Sequence, residues 1–186
     1  MAAKCKITVD LFKALNRIVT KSESLETMGS HITQLLVGAL GIKGSCIFAL
    51  NPDTRELEVL ASFGLSPCFI NKGPVFFRRS IRSAVKGKPV IVKNARTSKE
   101  LQYPDETKKE GIGAIVHLPV IFSGKIIGAL RLYHSKPWSL SAQDLEALEL
   151  LADTLALAMM YSRLLSALRI IRETVADVHS IWFESR

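Results

Sequence analysis

Cysteine is scarce in this chain of 186 residues: Cys5, Cys46 and Cys68 form an odd set whose spacings fit neither a zinc site nor a disulfide framework. They read as reduced thiols, and Cys46, inside an apolar run, reads as a small core residue rather than a nucleophile. Uncharged runs are short as well. A membrane span takes about 20 apolar residues, and the nearest approach, Leu145 to Tyr161, is interrupted by Glu146, Glu149 and Asp153. Carboxylates are costly in hydrocarbon, so this stretch reads as a helix covered by protein on more than one side, and no membrane insertion is expected. Met1 to Asp10 holds lysines but no apolar signal core, which suggests the cytoplasm. Histidine offers no metal cluster, because His31, His117, His134 and His179 fall on separate elements.

Acid is missing from one long stretch. Between Val59 and Lys99 there is no Asp or Glu, while Lys72, Arg78, Arg79, Arg82, Lys86, Lys88, Lys93, Arg96 and Lys99 all lie there, in a chain of formal net charge +8. The positive field that follows can attract an anionic ligand, an acidic partner or an output domain, or it can be a solvated basic face. Nucleic acid fits poorly, since no aromatic residues alternate with the basic ones at a spacing suited to stacking on bases. Hydrophobic residues make up 48% and charged residues 23%, a balance that supports a folded core. The length suits one domain plus a helical extension.

Apolar segments punctuated by glycine carry the organisation. Ile7 to Lys21 and Leu25 to Leu40 show helical spacing, the second ended by Gly41. Ser45 to Leu50 and Leu57 to Phe63 read as a hairpin around Asn51-Pro52-Asp53, and Ile112 to Phe122 with Ile126 to His134 as another around Ser123-Gly124. Between the hairpins the pattern predicts a loop over Gly64 to Gly73, a basic helix over Val75 to Lys86, and a short strand over Pro89 to Val92. The polar stretch from Lys93 to Glu110 is long enough to serve as a lid. Runs of this order give an α+β fold with an antiparallel sheet.

The final helix opens at Ser141 with Asp144 three residues on, close to a capping box, and meets no Pro or Gly afterwards. Leu150, Leu157, Tyr161, Leu164, Leu168, Ile171, Val175, Val178 and Trp182 recur at alternating four and three spacings, with Thr154 the polar member, which is a coiled-coil seam. Leu148, Leu151, Leu155, Ala158 and Met159 form a second apolar face suited to the sheet. A helix apolar on two faces calls for two partners. The expectation is a parallel homodimer built on this rod and the first helix; the alternative is a hairpin of the two helices within one chain.

Cys46-Ile47-Phe48-Ala49-Leu50-Asn51-Pro52, Ala61-Ser62-Phe63-Gly64-Leu65-Ser66, Lys72-Gly73-Pro74, Gly87-Lys88-Pro89-Val90, Gly111-Ile112 leading to Leu118-Pro119-Val120, and Gly124-Lys125-Ile126-Ile127-Gly128-Ala129-Leu130 follow in an order that resembles the GAF domain, over roughly Leu25 to Tyr161. The resemblance implies a sensory module related in shape to the PAS domain: a central antiparallel sheet, helices on one face, a ligand cup on the other, and helical ends that dimerise and signal. It divides the chain into a first helix (1–24), a sensory domain (25–161) and an extension of the last helix (162–186).

Strand alternation places Gly128, Leu130 and Leu132 toward the helices and Ile127, Ala129, Arg131 and Tyr133 toward the cup. A charge such as Arg131 among apolar neighbours needs an anionic partner or water, unless an intrachain carboxylate or an exposed position accounts for it. His117, on the face of Ile115 and Pro119, reads either as a hydrogen-bonded core residue or as a haem or metal ligand. Phe63, Phe69, Phe76, Ile115, His117 and Arg131 are thus the expected lining for a small-molecule ligand of unknown identity.

Departures narrow the reading. Cyclic-nucleotide-binding members carry an Asn-Lys pair where this chain has Tyr133-His134, and a Phe with an Asp-Glu pair where it has Leu140 and Asp144-Leu145. Bilin-binding members use a Cys beside a His, and no such dipeptide occurs here. Free methionine sulfoxide reductases use thiols around the cup; Cys68 lies near one such place, but Phe76 stands near a second and the Lys93 to Glu110 stretch has no cysteine. No enzymatic activity is therefore expected. The two functions that remain are a ligand sensor that relays through a helical rod and a ligand-free dimerisation and docking scaffold.

Overall fold

The computed structural model describes residues 7–22, 24–81 and 87–183, with side chains as far as Val175. Cys5, Arg82, Lys86, Val178, His179 and Trp182 figure in the sequence expectations and lie outside the residues or side chains described. Five strands, β1 (Gly44–Leu50), β2 (Leu57–Phe63), β3 (Val90–Val92), β4 (Ala114–Phe122) and β5 (Lys125–His134), form one antiparallel sheet in the order β2-β1-β5-β4-β3. Both hairpins form where the sequence places them. The Asn51 Oδ1 accepts from the amides of Asp53 at 2.9 Å and Thr54 at 3.1 Å, which closes the first turn locally. Ser123 and Gly124 both take positive φ, 48° and 73°, as a two-residue hairpin turn requires.

Alternation along the strands divides the core in two. Ile47, Val116, Leu118, Leu130 and Leu132 pack toward the helices, whereas Cys46, Phe48, Ile115, Ala129 and Tyr133 pack on the opposite side. Two bulges break the alternation. In the pairing of β1 with β2, Ile47 faces Ala61 but Phe48 faces Val59, so Leu60 is an extra residue. A bulge reverses which side chains face the core, and Phe63 then stands opposite Ser45, itself paired with Leu132 on the helix side. In the pairing of β4 with β5 the extra residue is Ile127, which packs with the helix-side core while Ile126 takes the other side. Ile127 was expected to face the cup, and this bulge is why it does not.

Helices α1 (Val9–Lys21), α2 (Leu25–Leu40) and α6 (Ala142–Phe183) cover one face. Ser24 caps α2 through the Thr27 amide at 3.1 Å, and Gly41 ends it in the left-handed conformation. Gly128 is needed where α6 crosses: a Cβ there would sit 2.2 Å from the Phe48 carbonyl and 3.3 Å from Met159 Cε. Leu148, Leu151, Leu155, Ala158 and Met159 are buried, as the sheet-facing half of α6 requires. From Tyr161 onward the helix leaves the domain. The seam from Leu150 and Leu157 through Val175 is exposed, and α6 over Ala142–Val175 is apolar and long enough to meet the length and composition of a membrane span. Helix α1 packs on α2 of the same chain, where its Leu11 and Leu15 are buried and Phe12, Ile18 and Val19 are partly buried.

The region between the hairpins holds more structure than the sequence suggests. Within the expected loop Gly64 to Gly73 lies α3 (Pro67–Ile70); of the helix expected over Val75 to Lys86, residues 82–86 lie outside the described residues, and the described part holds α4 (Phe77–Ser80), after which Ile81 is extended and bridges Leu101. The polar stretch contains α5 (Pro104–Lys109), opened by Pro104 at its first turn with Asp105 and Glu106 beside it.

Candidate functional site

A cavity of about 20 Å³ lies between the sheet and the segments around α3 and α5. That is room for a single water molecule. Phe69, Val75, Ile81, Leu101, Ile115 and Tyr133 supply apolar walls, and Lys72, Ser80, Gln102, Tyr103, Thr107 and Arg131 supply polar groups. Phe69 meets Tyr133 edge to face, with ring centroids 5.7 Å apart. Gln102 and Tyr103 fasten the cover. The amide of Gln102 donates to the Pro74 carbonyl at 3.0 Å and accepts from the Phe76 amide at 3.1 Å, and the Tyr103 hydroxyl donates to the same Pro74 carbonyl at 2.8 Å.

Arg131 is the centre of the polar set and is only 6% exposed. Its Nε donates to His117 Nδ1 at 3.2 Å, one Nη donates to Ser80 Oγ at 2.6 Å, and the guanidinium lies 4.9 Å from the centroid of the Phe48 ring. All three partners are neutral. Because an arginine only donates, His117 Nδ1 is the bare nitrogen and the ring proton sits on Nε2. Burial, followed by the Arg131 charge, pushes the His117 ring well below the usual imidazole range, so it stays neutral. That Nε2 has no hydrogen-bond partner among the described residues.

No carboxylate among the described residues makes an ion pair with Arg131; the two pairs found join Lys13 to Asp10 and Lys43 to Glu110. An uncompensated buried charge costs several kcal/mol, and a ring face offsets only about 2 kcal/mol of that. The nearest charged side chain in the lining has the same sign. Lys72 Nζ donates to the Phe69 carbonyl at 2.7 Å and sits 3.9 Å from the Phe69 ring centroid. Burial, then Arg131, lowers Lys72 from 10.5 to about 8, against the opposing pull of Cys46, Glu106 and Glu110.

The remaining titratable groups are less poised for chemistry. Burial pushes the Cys46 thiol up to about 12, with Arg131 and Lys72 only partly opposing it, so the sulfur is protonated at neutral pH and a poor nucleophile. Cys68 is exposed on α3 and free. Among the described residues, no three His, Cys, Asp or Glu side chains group as a metal site. Glu110 closes the far end of the cover: it accepts from the Ser66 amide at 3.0 Å and from the Ser66 hydroxyl, and it pairs with Lys43 at 3.5 Å.

Of the six residues expected in the lining, Phe69, Ile115 and Arg131 line the cavity together. His117 is buried behind Arg131 and holds it in place. Phe63 is 42% exposed and turned away by the β2 bulge. Phe76 is half-buried at the start of α4 with Arg79 over its ring at 5.6 Å, while its neighbour Phe77 takes the core position. Sequence reasoning missed Lys72, Ser80, Gln102 and Tyr103. They lie on irregular segments, where no periodicity indicates a direction; the one signal was Lys72, the first cation of the acid-free stretch.

The comparisons agree with this architecture. A family model described as the GAF domain matches residues 22–160. No curated protein matches the chain. The GAF domain from a phosphoenolpyruvate-protein phosphotransferase of Coxiella burnetii superposes with a TM-score of 0.73 at 20% identity, over 84% of this chain and 96% of that one. Free methionine-R-sulfoxide reductase from Neisseria meningitidis, in complex with its substrate, gives 0.71 at 18% identity, over 88% and 95%. The phycocyanobilin-bound domain of a cyanobacterial phytochrome gives 0.64 at 20%, over 84% and 97%. At such identities the likeness is one of fold.

Proposed function

Since the chain belongs to the GAF domain family, we propose that it is a non-catalytic sensory module that binds a small ligand in the cup beside Arg131 and relays the bound state through a homodimeric rod built on α6. The observation that carries this reading is the buried Arg131, whose charge has no carboxylate partner among the described residues although its position is fixed by His117 and Ser80. A ligand would open the cover held by Gln102 and Tyr103 and rest against the β4–β5 surface. The opposite face of that surface carries α6, so a change in the cup reaches the rod through one sheet. Relay requires the ligand to bind one rod state better than the other. The protonated Cys46 thiol and the place of Cys68 outside the cavity lining support the non-catalytic reading, and the acid-free stretch suits an acidic partner or output domain in the cytoplasm.

A second reading, a ligand-free dimerisation and docking scaffold, is favoured by the cavity of about 20 Å³, which its own side chains nearly fill. Native mass spectrometry of the protein as purified from cells separates the two. A dimer that releases a small mass on denaturation supports the sensor; an empty dimer that keeps its stability in Arg131→Met supports the scaffold; a monomer refutes the rod.

A further inference from the structure

We infer that the cup is built for a small organic acid, whose carboxylate is received between Arg131 and Lys72 while its apolar body lies against Phe69, Ile81 and Ile115. The inference rests on the sensory reading above and gives its ligand a chemical class.

The argument begins with charge. Arg131 and Lys72 line the same cavity, and each raises the cost of the other. The chain has no Asp or Glu anywhere from Val59 to Lys99, so the stretch that supplies Phe69, Lys72, Val75, Ser80 and Ile81 to the lining brings no carboxylate of its own. Glu110, at the rim, is engaged by Ser66 and Lys43. Among the described residues neither cation is in an ion pair, Glu106 and Glu110 acting on Lys72 only from a distance, and the fold holds both at one small cavity with specific bonds: His117 and Ser80 on Arg131, and the Phe69 carbonyl on Lys72.

Geometry then selects the anion. A guanidinium offers five N–H donors in a plane. His117 and Ser80 take two, so donors remain for a carboxylate oxygen, and the Lys72 ammonium serves the other. The rest of the lining is divided between apolar walls and polar side chains that are already committed, Gln102 and Tyr103 to the Pro74 carbonyl and Thr107 to the Tyr103 carbonyl. A phosphate would bring more oxygens than these donors can satisfy, and an unsatisfied oxygen against Phe69 and Ile115 is penalised.

The test is titration calorimetry of the full chain with straight-chain carboxylates from formate to hexanoate and the 2-oxo derivatives of propionate to hexanoate, with propionamide and inorganic phosphate alongside. One-to-one binding of a carboxylate, at least about tenfold weaker in Lys72→Met, with no heat from the amide, is the expected result; on the surface side of the cup, that variant keeps the fold while removing one of the two cations. Phosphate binding in place of the carboxylates overturns the inference, as does propionamide binding as tightly as propionate. Failure of every carboxylate also overturns it. In that case a neutral molecule released from the protein purified from cells leaves the sensory reading standing, whereas an empty protein in which Arg131→Met is at least as stable removes both.

Discussion

Replacing Leu164 and Leu168 together by Glu tests the rod directly. The two side chains are 58% and 53% exposed in the single chain and lie beyond the last buried position of α6. Within one chain the substitutions are therefore surface changes, worth at most about 0.5 kcal/mol each. In a parallel dimer both leucines fall on the seam. Complete burial of a leucine contributes about 1.5–3 kcal/mol, and with about half of each left to bury, the four leucines of a dimer contribute roughly 3–6 kcal/mol. At 1.4 kcal/mol per factor of ten, the double variant should dissociate roughly 100- to 10,000-fold more readily. Sedimentation equilibrium over a concentration series reads this directly, and thermal melts of the dissociated variant should match those of the wild-type domain. A double variant as dimeric as the wild type would refute the seam. So would a monomeric wild type. A variant monomer with a collapsed melting temperature would show instead that this half of α6 folds back onto its own domain.

Further expectations follow from single contacts. Gly128→Ala places a Cβ 2.2 Å from the Phe48 carbonyl and 3.3 Å from Met159 Cε, which should cost about 1–3 kcal/mol in chemical denaturation. Lys72 in the free protein releases its proton near pH 8, below its ordinary 10.5, under burial and Arg131 and against Cys46, Glu106 and Glu110. Folding alone is therefore favoured by raising the pH from about 8 to 10.5, but a bound carboxylate restores the proton, so its affinity should fall by up to about tenfold per pH unit above pH 8. Calorimetry in buffers of different ionisation heat should show proton uptake there, and affinity unchanged across that range would contradict the role of Lys72. Ser66→Ala removes the cap on α3, whose oxygen accepts from the Phe69 amide at 3.2 Å, at a cost of about 1 kcal/mol. It also removes the hydroxyl bond to Glu110, leaving the residue-66 amide and Lys43. Burial raises that carboxyl, but Ser66 and Lys43 outweigh burial and hold it below its ordinary value, so its contribution is present above the ordinary value and lost as the pH falls through the lowered one. The acid-unfolding midpoint of the variant should accordingly move to higher pH.

The regular parts of the molecule were legible because they obey a period. Alternation along β5 separates Leu130 and Leu132 from Arg131 and Tyr133, and the structure keeps that separation. The final helix begins with the anticipated cap, in which Ser141 Oγ accepts from the Asp144 amide at 3.1 Å. Phe63 and Ile127 went astray for one reason: a bulge adds a residue without leaving a mark in composition, and every side chain beyond it changes face. Phe76 and Phe77 are adjacent, so hydrophobicity could not select the inward member. The cup was the least legible part. Ser80, Gln102 and Tyr103 meet through the bridge between Ile81 and Leu101 and the bonds to Pro74, contacts between segments some 20 to 30 residues apart that no local pattern announces.

If the proposed relay runs through α6, the uninterrupted helix would work as a lever with a long arm. Its fulcrum would be the crossing over β4 and β5, where Gly128 of β5 and Met159 bring sheet and helix together. The stretch from 160 to 183 extends about 36 Å at 1.5 Å per residue, so a tilt of about 5° at the crossing displaces the far end by about 3 Å, more than half a helical turn. Neither proline nor glycine lies along the arm to absorb the motion. A displacement in the cup too small to repack the core is thereby magnified at a distance from it.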